Sequence, residues 1–451
     1  MNILMSSFVP DQNAVGTIQK RHKYLFYTSI LCWCIMLIAQ FIMLFRFNGD
    51  QISDAKGYLT LAENLVKISD WYPDISNVQS RYVFGNGFVN YLILILGITD
   101  NIKFAYFLNI VFCQIILFSS LYIVYKITNN KTALYTYLIL FSLLNTFWSE
   151  VVTLRTEIPF TSLVFFAFAL LYTNKKYAVP VSGIIIAIAN WVRPLGIPAL
   201  ICALLILISR SKKISDYIKL VSSACVTVLI IGTLTFLNCG HFVYQSTTFG
   251  VNLIMSANDK ADGSYMPVDD IIYITEEKAK SMTFDEYDKL YTTESIKWII
   301  KNPIKYISQI PKKIFYLYAT ETYSGDSYFN NQKSTGGLDY IKSIVSKISG
   351  KSDDSFVFAD FLICFNQIWY MIIFSLFLCG LIILFSDKYI RTKIAPYILF
   401  MAFGTAITIV VVGGARYHFP YLPIMIMMAS YFFSKVLTKD DKNDISEIIE
   451  S

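Results

Sequence analysis

Residues 24–58 read YLFYTSILCWCIMLIAQFIMLFRFNGDQISDAKGY. Tyr24–Phe45 is uncharged and apolar, and it is long enough for the ~20 residues that cross a bilayer as a helix. Directly beyond it, Asp50 and Asp54 place two carboxylates at the boundary of the apolar run. A carboxylate beside hydrocarbon is costly unless it is solvated, paired or used, so this position marks a functional site. A spacing of four puts both acids on one helical face.

The rest of the chain repeats the apolar pattern. Of its 451 residues 55% are hydrophobic and only 16% charged, and the mean hydropathy of +0.51 lies outside the range of soluble domains. Apolar runs recur at residues 24–45, 103–125, 132–148, 157–173, 177–192, 194–209, 217–238, 361–386, 394–413 and 417–436, which predicts an all-α membrane protein with about ten spans. The first run lacks a small-residue cleavage site and reads as a retained helix. Lys20, Arg21 and Lys23 precede it and favour a cytoplasmic N-terminus. Counted from there, Lys126 with Lys131, Lys175 with Lys176, Arg210 with Lys212 and Lys213, Lys388 with Arg391 and Lys393, and Lys435 all fall inside. These clusters account for much of the net charge of +6, so no nucleic-acid partner is implied. Of the eight cysteines only Cys239 lies near the outer surface, which gives no disulfide framework.

The expected organisation is a cytoplasmic N-terminus (1–23), a transmembrane core (24–238) whose first outer loop (46–101) bears the chemistry, an extracytoplasmic segment (239–360), C-terminal membrane helices (361–436) and a cytoplasmic tail (437–451). Within the first outer loop, Tyr58, Leu59, Leu61, Ala62, Leu65, Val66 and Ile68 recur at helical spacing among charged residues, which predicts a helix lying on the membrane. Phe88–Ile98 is too short and too Gly-flanked to span, and reads as a second interfacial piece. In the large polar segment Thr283–Ile299 and Ile304–Tyr318 read as helices about an Asn302-Pro303 break, and Ser324–Ser355 as a mobile loop.

Asp54 is the residue best placed to deprotonate an acceptor hydroxyl at the outer edge. The plainer reading makes it the cap of the interfacial helix. Asp50 and Asp54 could share a divalent metal, but two carboxylates without further ligands are a weak metal signature, so no cofactor is indicated. Glu150, Arg155 and Glu157 share one outer turn, Arg193 occupies another, and Arg416 with His418 a third. Guanidinium groups suit bidentate recognition of phosphate, whereas each arginine taken singly also suits a snorkelling helix anchor. His418 has no metal-ligand spacing and reads as structural. No nucleotide-binding loop or nucleophile elbow is placed convincingly.

These pieces, taken in order, resemble the GT-C superfamily of polytopic glycosyltransferases, in the bacterial branch related to protein O-mannosyltransferases and the aminoarabinose transferase of lipid A. The likeness rests on Asp54, Tyr58 and Ala62 after the first span, Asp70-Trp71, Arg81-Tyr82, Arg155-Thr156-Glu157-Ile158-Pro159-Phe160, Trp191-Val192-Arg193-Pro194-Leu195-Gly196, Thr248-Phe249-Gly250-Val251-Asn252-Leu253, Asn302-Pro303 with Lys312-Lys313, and Arg416-Tyr417-His418-Phe419-Pro420-Tyr421-Leu422-Pro423. Two departures stand out: Ala55 follows Asp54 where the protein mannosyltransferases carry Glu, and Gly85-Asn86-Gly87 replaces a Pro-Gly turn. The resemblance implies inverting transfer of a sugar from a polyprenyl-phosphate donor to a glycan, lipid or protein acceptor on the outer face of a bacterial cytoplasmic membrane. It also implies Asp54 as base and Arg193, Lys312, Lys313 and Arg416 as donor-phosphate ligands, with Asp50, Tyr58, Arg81, Tyr82, Arg155, Glu157 and Asn252 in support. Two other functions use many spans and outer charges: a polymerase joining lipid-linked repeat units, and a lipid or glycan transporter. A transporter is expected to carry its charges at mid-membrane rather than at helix ends.

Overall fold

Proline positions set several helix starts, because a proline in the first turn forfeits only an N–H that has no partner there. The computed structural model describes residues 16–72, 86–210, 213–246, 248–266, 271, 274, 275, 278, 281–329 and 338–450. Among these, all regular structure is helical. The principal helices are α1 (Gly16–Arg46), α2 (Ser53–Lys67), α3 (Asn86–Ile98), α4 (Lys103–Thr128), α5 (Lys131–Leu143), α6 (Glu157–Leu171), α7 (Ala178–Val192), α8 (Gly196–Arg210), α9 (Ile214–Cys239), α10 (Phe284–Lys301), α11 (Ile310–Tyr318), α12 (Leu338–Ile348), α13 (Phe358–Leu384), α14 (Lys388–Val411) and α15 (Leu422–Glu450). Pro159, Pro180, Pro198, Pro311 and Pro423 all lie in the first turns of their helices. Asn130 caps α5 and Asp387 caps α14 by accepting backbone N–H bonds, and Thr283 with Glu286 forms a reciprocal capping box on α10.

One large apolar core joins α1–α8 to α13–α15. Within it α6 packs on α4 and α7, α7 on α9, α5 on α1 and α15, α13 on α15, and α8 on α14. Two small satellite cores stabilise the long polar segment: Ile254 with Tyr287 and Tyr291, and Tyr340 with Ile344 and Ile363.

Among the described residues six helices, including the run Ala415–Leu437, are long and apolar enough to cross a membrane. In α1, α9, α13 and α14 only 28% of the most apolar stretch is buried in protein. Leu31, Ile38, Ile42 and Phe45 on α1, and Leu229, Ile230 and Leu237 on α9, are exposed. So large an uncovered apolar area needs hydrocarbon around it. The chain is built to sit in a membrane.

The expected count of ten spans is not reproduced. α5 has 13 residues and α6, α7 and α8 have 15 each, or about 20–22 Å at the helical rise of ~1.5 Å per residue, short of the ~30 Å hydrocarbon core. The runs 157–173, 177–192 and 194–209 form helices within two residues of their expected bounds and are themselves short, while the run 132–148 is cut by a buried turn. The run 132–148 breaks at Leu144, whose backbone is extended, and Thr146–Val152 meets α6 at 117°. Counting that bent pair as one span gives seven.

Two expectations in the polar segment also change. Ile304–Tyr318 is not one helix but Pro303–Ser308 and α11, separated at Gln309. Part of the expected mobile loop 324–355 is α12, whose Tyr340 and Ile344 are buried against Ile363 of α13. α3 does form at the expected place, with 13 residues.

Candidate functional site

At one end of the bundle several helix ends meet: the end of α1, the starts of α2 and α6, the end of α7, and the turn Ala415–Tyr421 that leads into α15. Buried amide side chains hold these ends together. Gln51 donates to the Tyr106 hydroxyl at 2.8 Å and to Val152 O at 3.0 Å, and accepts from Leu154 N at 3.0 Å. Asn109 of α4 donates to Val151 O and Thr153 O, and Gln40 of α1 to Phe147 O. The loop bearing Asp54 is thereby tied to the turn bearing Glu150 and Arg155.

The Arg193 turn is shaped by Asn190, whose carbonyl oxygen accepts from Gly196 N at 2.7 Å. A Cβ at residue 196 would lie 2.2 Å from the Asn190 side chain, so only glycine fits. The Arg416 turn is set by a similar close approach. Gly413 donates to Gly263 O at 2.9 Å, and a Cβ there would lie 2.4 Å from Lys313 O.

These constraints produce a row of alternating charge. Asp54 Oδ2 is 2.6 Å from Arg416 Nη2, Arg416 Nε is 2.9 Å from Glu157 Oε1, and the same Glu157 oxygen is 2.8 Å from Arg193 Nη1. Arg193 Nη1 also donates to Thr156 Oγ1 at 3.0 Å. The Tyr417 ring lies 5.5 Å from each guanidinium carbon and faces both cations. Exposure is greatest at the Asp54 end, 33% for the Asp54 side chain and 22% for Arg416, against 1% for Glu157 and 9% for Arg193. The row therefore opens at Asp54.

Asp54 makes no side-chain cap on α2; its carboxylate goes to Arg416. Ser53, just before it, has a left-handed backbone (φ +52°), which costs a non-glycine residue about 1 kcal/mol or more. Tyr58, one turn on, is buried and packs edge-on against Phe88 at 5.0 Å. Burial pushes its phenol above the ordinary value, and the Asp54 carboxylate adds to the shift. Tyr58 thus remains protonated.

A second cluster lies alongside. Arg155 pairs with Glu150 at 3.4 Å and with Asp326 at 2.7 Å. His418 Nε2 is 2.6 Å from Glu321 Oε2, and its Nδ1 faces Leu317 O at 2.5 Å, so the two nitrogens sit between a carboxylate and a carbonyl. The imidazole stacks on Tyr318 and Tyr370, and Glu321 Oε1 accepts from Thr146 at 2.7 Å. Glu321 and Asp326, both in the long polar segment, therefore clamp the Arg416 and Arg155 turns. Neither stood out in the sequence, where nothing about their spacing separates them from other acids on polar loops.

The remaining site residues lie elsewhere. Lys313 is buried, donates to Ile409 O at 2.9 Å and stands 4.5 Å from the Tyr306 ring centre. Burial lowers its ammonium to about 8. Lys312 is exposed on α11. Asn252 bonds locally to Thr248 O and Oγ1, and Asp50 is exposed between α1 and α2. Arg81 and Tyr82 lie outside the described residues. Among the described residues no three His, Cys, Asp or Glu side chains gather as metal ligands. No protein-family model matches the chain, and no curated protein matches it.

Proposed function

We propose that this protein is a membrane glycosyltransferase of the GT-C kind, which moves a sugar from a polyprenyl-phosphate donor to a hydroxyl of a cell-surface glycan, lipid or protein. The observation that carries this reading is the row Asp54–Arg416–Glu157–Arg193, in which two carboxylates and two guanidiniums from residues far apart in sequence meet at one end of a membrane bundle. Two guanidiniums joined through one carboxylate provide the donors that a departing phosphate requires. Asp54, the most exposed member, is placed to accept the proton of an arriving hydroxyl.

In the transfer, the acceptor oxygen bonds to the anomeric carbon from the face opposite the leaving group, with inversion. The bond from that carbon to the phosphate oxygen breaks, and the electron pair leaves with polyprenyl phosphate, whose charge Arg416 and Arg193 offset. The hydroxyl proton passes to Asp54 and then to solvent. The basic residues Lys126, Lys175, Arg210 and Arg391 lie near helix ends at the opposite end of the bundle from the row. By the positive-inside tendency that supports an outward-facing site in the bacterial cytoplasmic membrane.

The test is reconstitution of the purified protein with a pool of polyprenyl-phosphate sugars and a surface-glycan extract, followed by mass spectrometry. The reading expects one sugar added per acceptor, with an Asp54→Asn variant losing about 10²-fold or more of the rate. A ladder of repeat units would identify a polymerase instead. Movement of lipid-linked sugar across the bilayer without bond cleavage would identify a transporter.

A further inference from the structure

As the counter-ion of Arg416, Asp54 has one of its two oxygens engaged. Its Oδ2 lies 2.6 Å from Arg416 Nη2, and a carboxylate held in a short charge-assisted hydrogen bond has part of its lone-pair capacity committed. Its two neighbours in the row are more firmly fixed. Glu157 is held by both Arg193 and Arg416 and is almost wholly buried, so removing it would strand two cations. Asp54 is a third exposed and pairs with Arg416 alone among the described residues.

The edge that Arg416 presents decides which carboxylate an incoming anion meets. Its Nε is taken by Glu157 and its Nη2 by Asp54, and Nη1 has no partner among the described residues. An oxyanion that engages a guanidinium end-on does so through Nη1 and Nη2 together. It must therefore compete with Asp54 for Nη2, while Glu157 keeps Nε.

We propose that Asp54 is a built-in competitor for the anion site: a phosphate group binding to Arg416 displaces the Asp54 carboxylate, and this displacement frees Asp54 to act as base. The identity of the anion rests on the glycosyltransfer reading, but the exchange does not. The consequence is an order of events. With no anion on Arg416, Asp54 is held in the ion pair. Once the donor phosphate has taken its place, the carboxylate is free beside the sugar to be transferred, so the acceptor is activated only when a donor is present.

Wild type, Asp54→Asn, Arg416→Gln and the double variant, each in nanodiscs, are titrated with polyprenyl phosphate and separately with inorganic phosphate, and transfer rates are measured in parallel. An isosteric amide removes the competing charge, so Asp54→Asn should bind polyprenyl phosphate about tenfold more tightly than wild type while transfer falls. The gain should vanish in the Arg416→Gln background. Tightening with polyprenyl phosphate but not inorganic phosphate assigns the site to a lipid-borne group, and equal tightening with both assigns it to phosphate in general; both support the exchange. No tightening in Asp54→Asn, tightening that survives Arg416→Gln, or no binding of either probe by any form overturns it. Should the Arg416 variants not fold, carbodiimide labelling of Asp54 in the wild type replaces them: labelling should rise when polyprenyl phosphate is added, and an unchanged yield overturns the proposal. Tighter binding by Asp54→Asn together with full transfer would leave the exchange standing and remove Asp54 as the base.

Discussion

Glu157 is the residue on which the charge row depends. It is 1% exposed and serves two guanidiniums with one oxygen. Glu157→Gln leaves Arg193 and Arg416 facing each other across Tyr417 without a shared counter-charge, and should cost about 3 kcal/mol or more in thermal unfolding. Lys313 gives a pH-dependent counterpart. Its ammonium is lowered to about 8 by burial, whereas an unfolded lysine titrates near ~10.4. Between these values the unfolded chain binds more protons than the native one, so stability rises with pH across that window, and the penalty is fully present below it. Melting temperature should climb between about pH 8 and 10 in the wild type, and Lys313→Met should flatten that part of the profile. At the residue scale the sequence singled out Asp54, Arg193 and Arg416 but not the pairs they form. Long-range pairs such as Asp54 with Arg416 depend on packing, and the sequence carries no periodic signal of it.

The elements are shaped by turns more than by helices. Gly413 sits where the chain before Arg416 passes over the Lys313 backbone. Gly413→Ala must shift one of the two, at a cost of about 1–3 kcal/mol, and should impair anion binding at Arg416 as well as stability. Gln51 ties the first loop to the Glu150–Arg155 turn through three hydrogen bonds. Gln51→Leu would leave buried backbone groups of Val152 and Leu154 unpaired and should lower stability by about 2 kcal/mol, read by thermal unfolding. The helix starts were legible, because proline and capping residues act locally: Pro159, Pro198 and the Thr283/Glu286 box all lie where helices begin. Helix ends buried in protein were not. The break at Leu144 interrupts a run that is apolar on both sides, so hydropathy alone reads 132–148 as continuous. α12 was missed for the opposite reason. Its helix is anchored by only two buried side chains, Tyr340 and Ile344, in a polar stretch.

For the molecule as a whole, the strongest sequence signal was membrane residence, and the exposed apolar faces of α1, α9, α13 and α14 agree with it. The proposed orientation rests on the basic residues at the end away from the charge row, and it is directly testable. In a cysteine-free background, Asp339→Cys on exposed α12 should react with an impermeant thiol reagent in intact cells, and Lys393→Cys should react only after permeabilisation; the reverse pattern would turn the site inward. The proposed function makes the row ending in Asp54 the place where a glycosyl group leaves a phosphate-linked donor. The most direct measurement is the initial rate of sugar transfer from polyprenyl-phosphate donors by purified wild type, Asp54→Asn and, as a surface control, Asp339→Asn. The account predicts a loss of about 10²-fold or more for Asp54→Asn with the control unchanged. A folded Asp54→Asn protein that transfers sugar at the wild-type rate would contradict it.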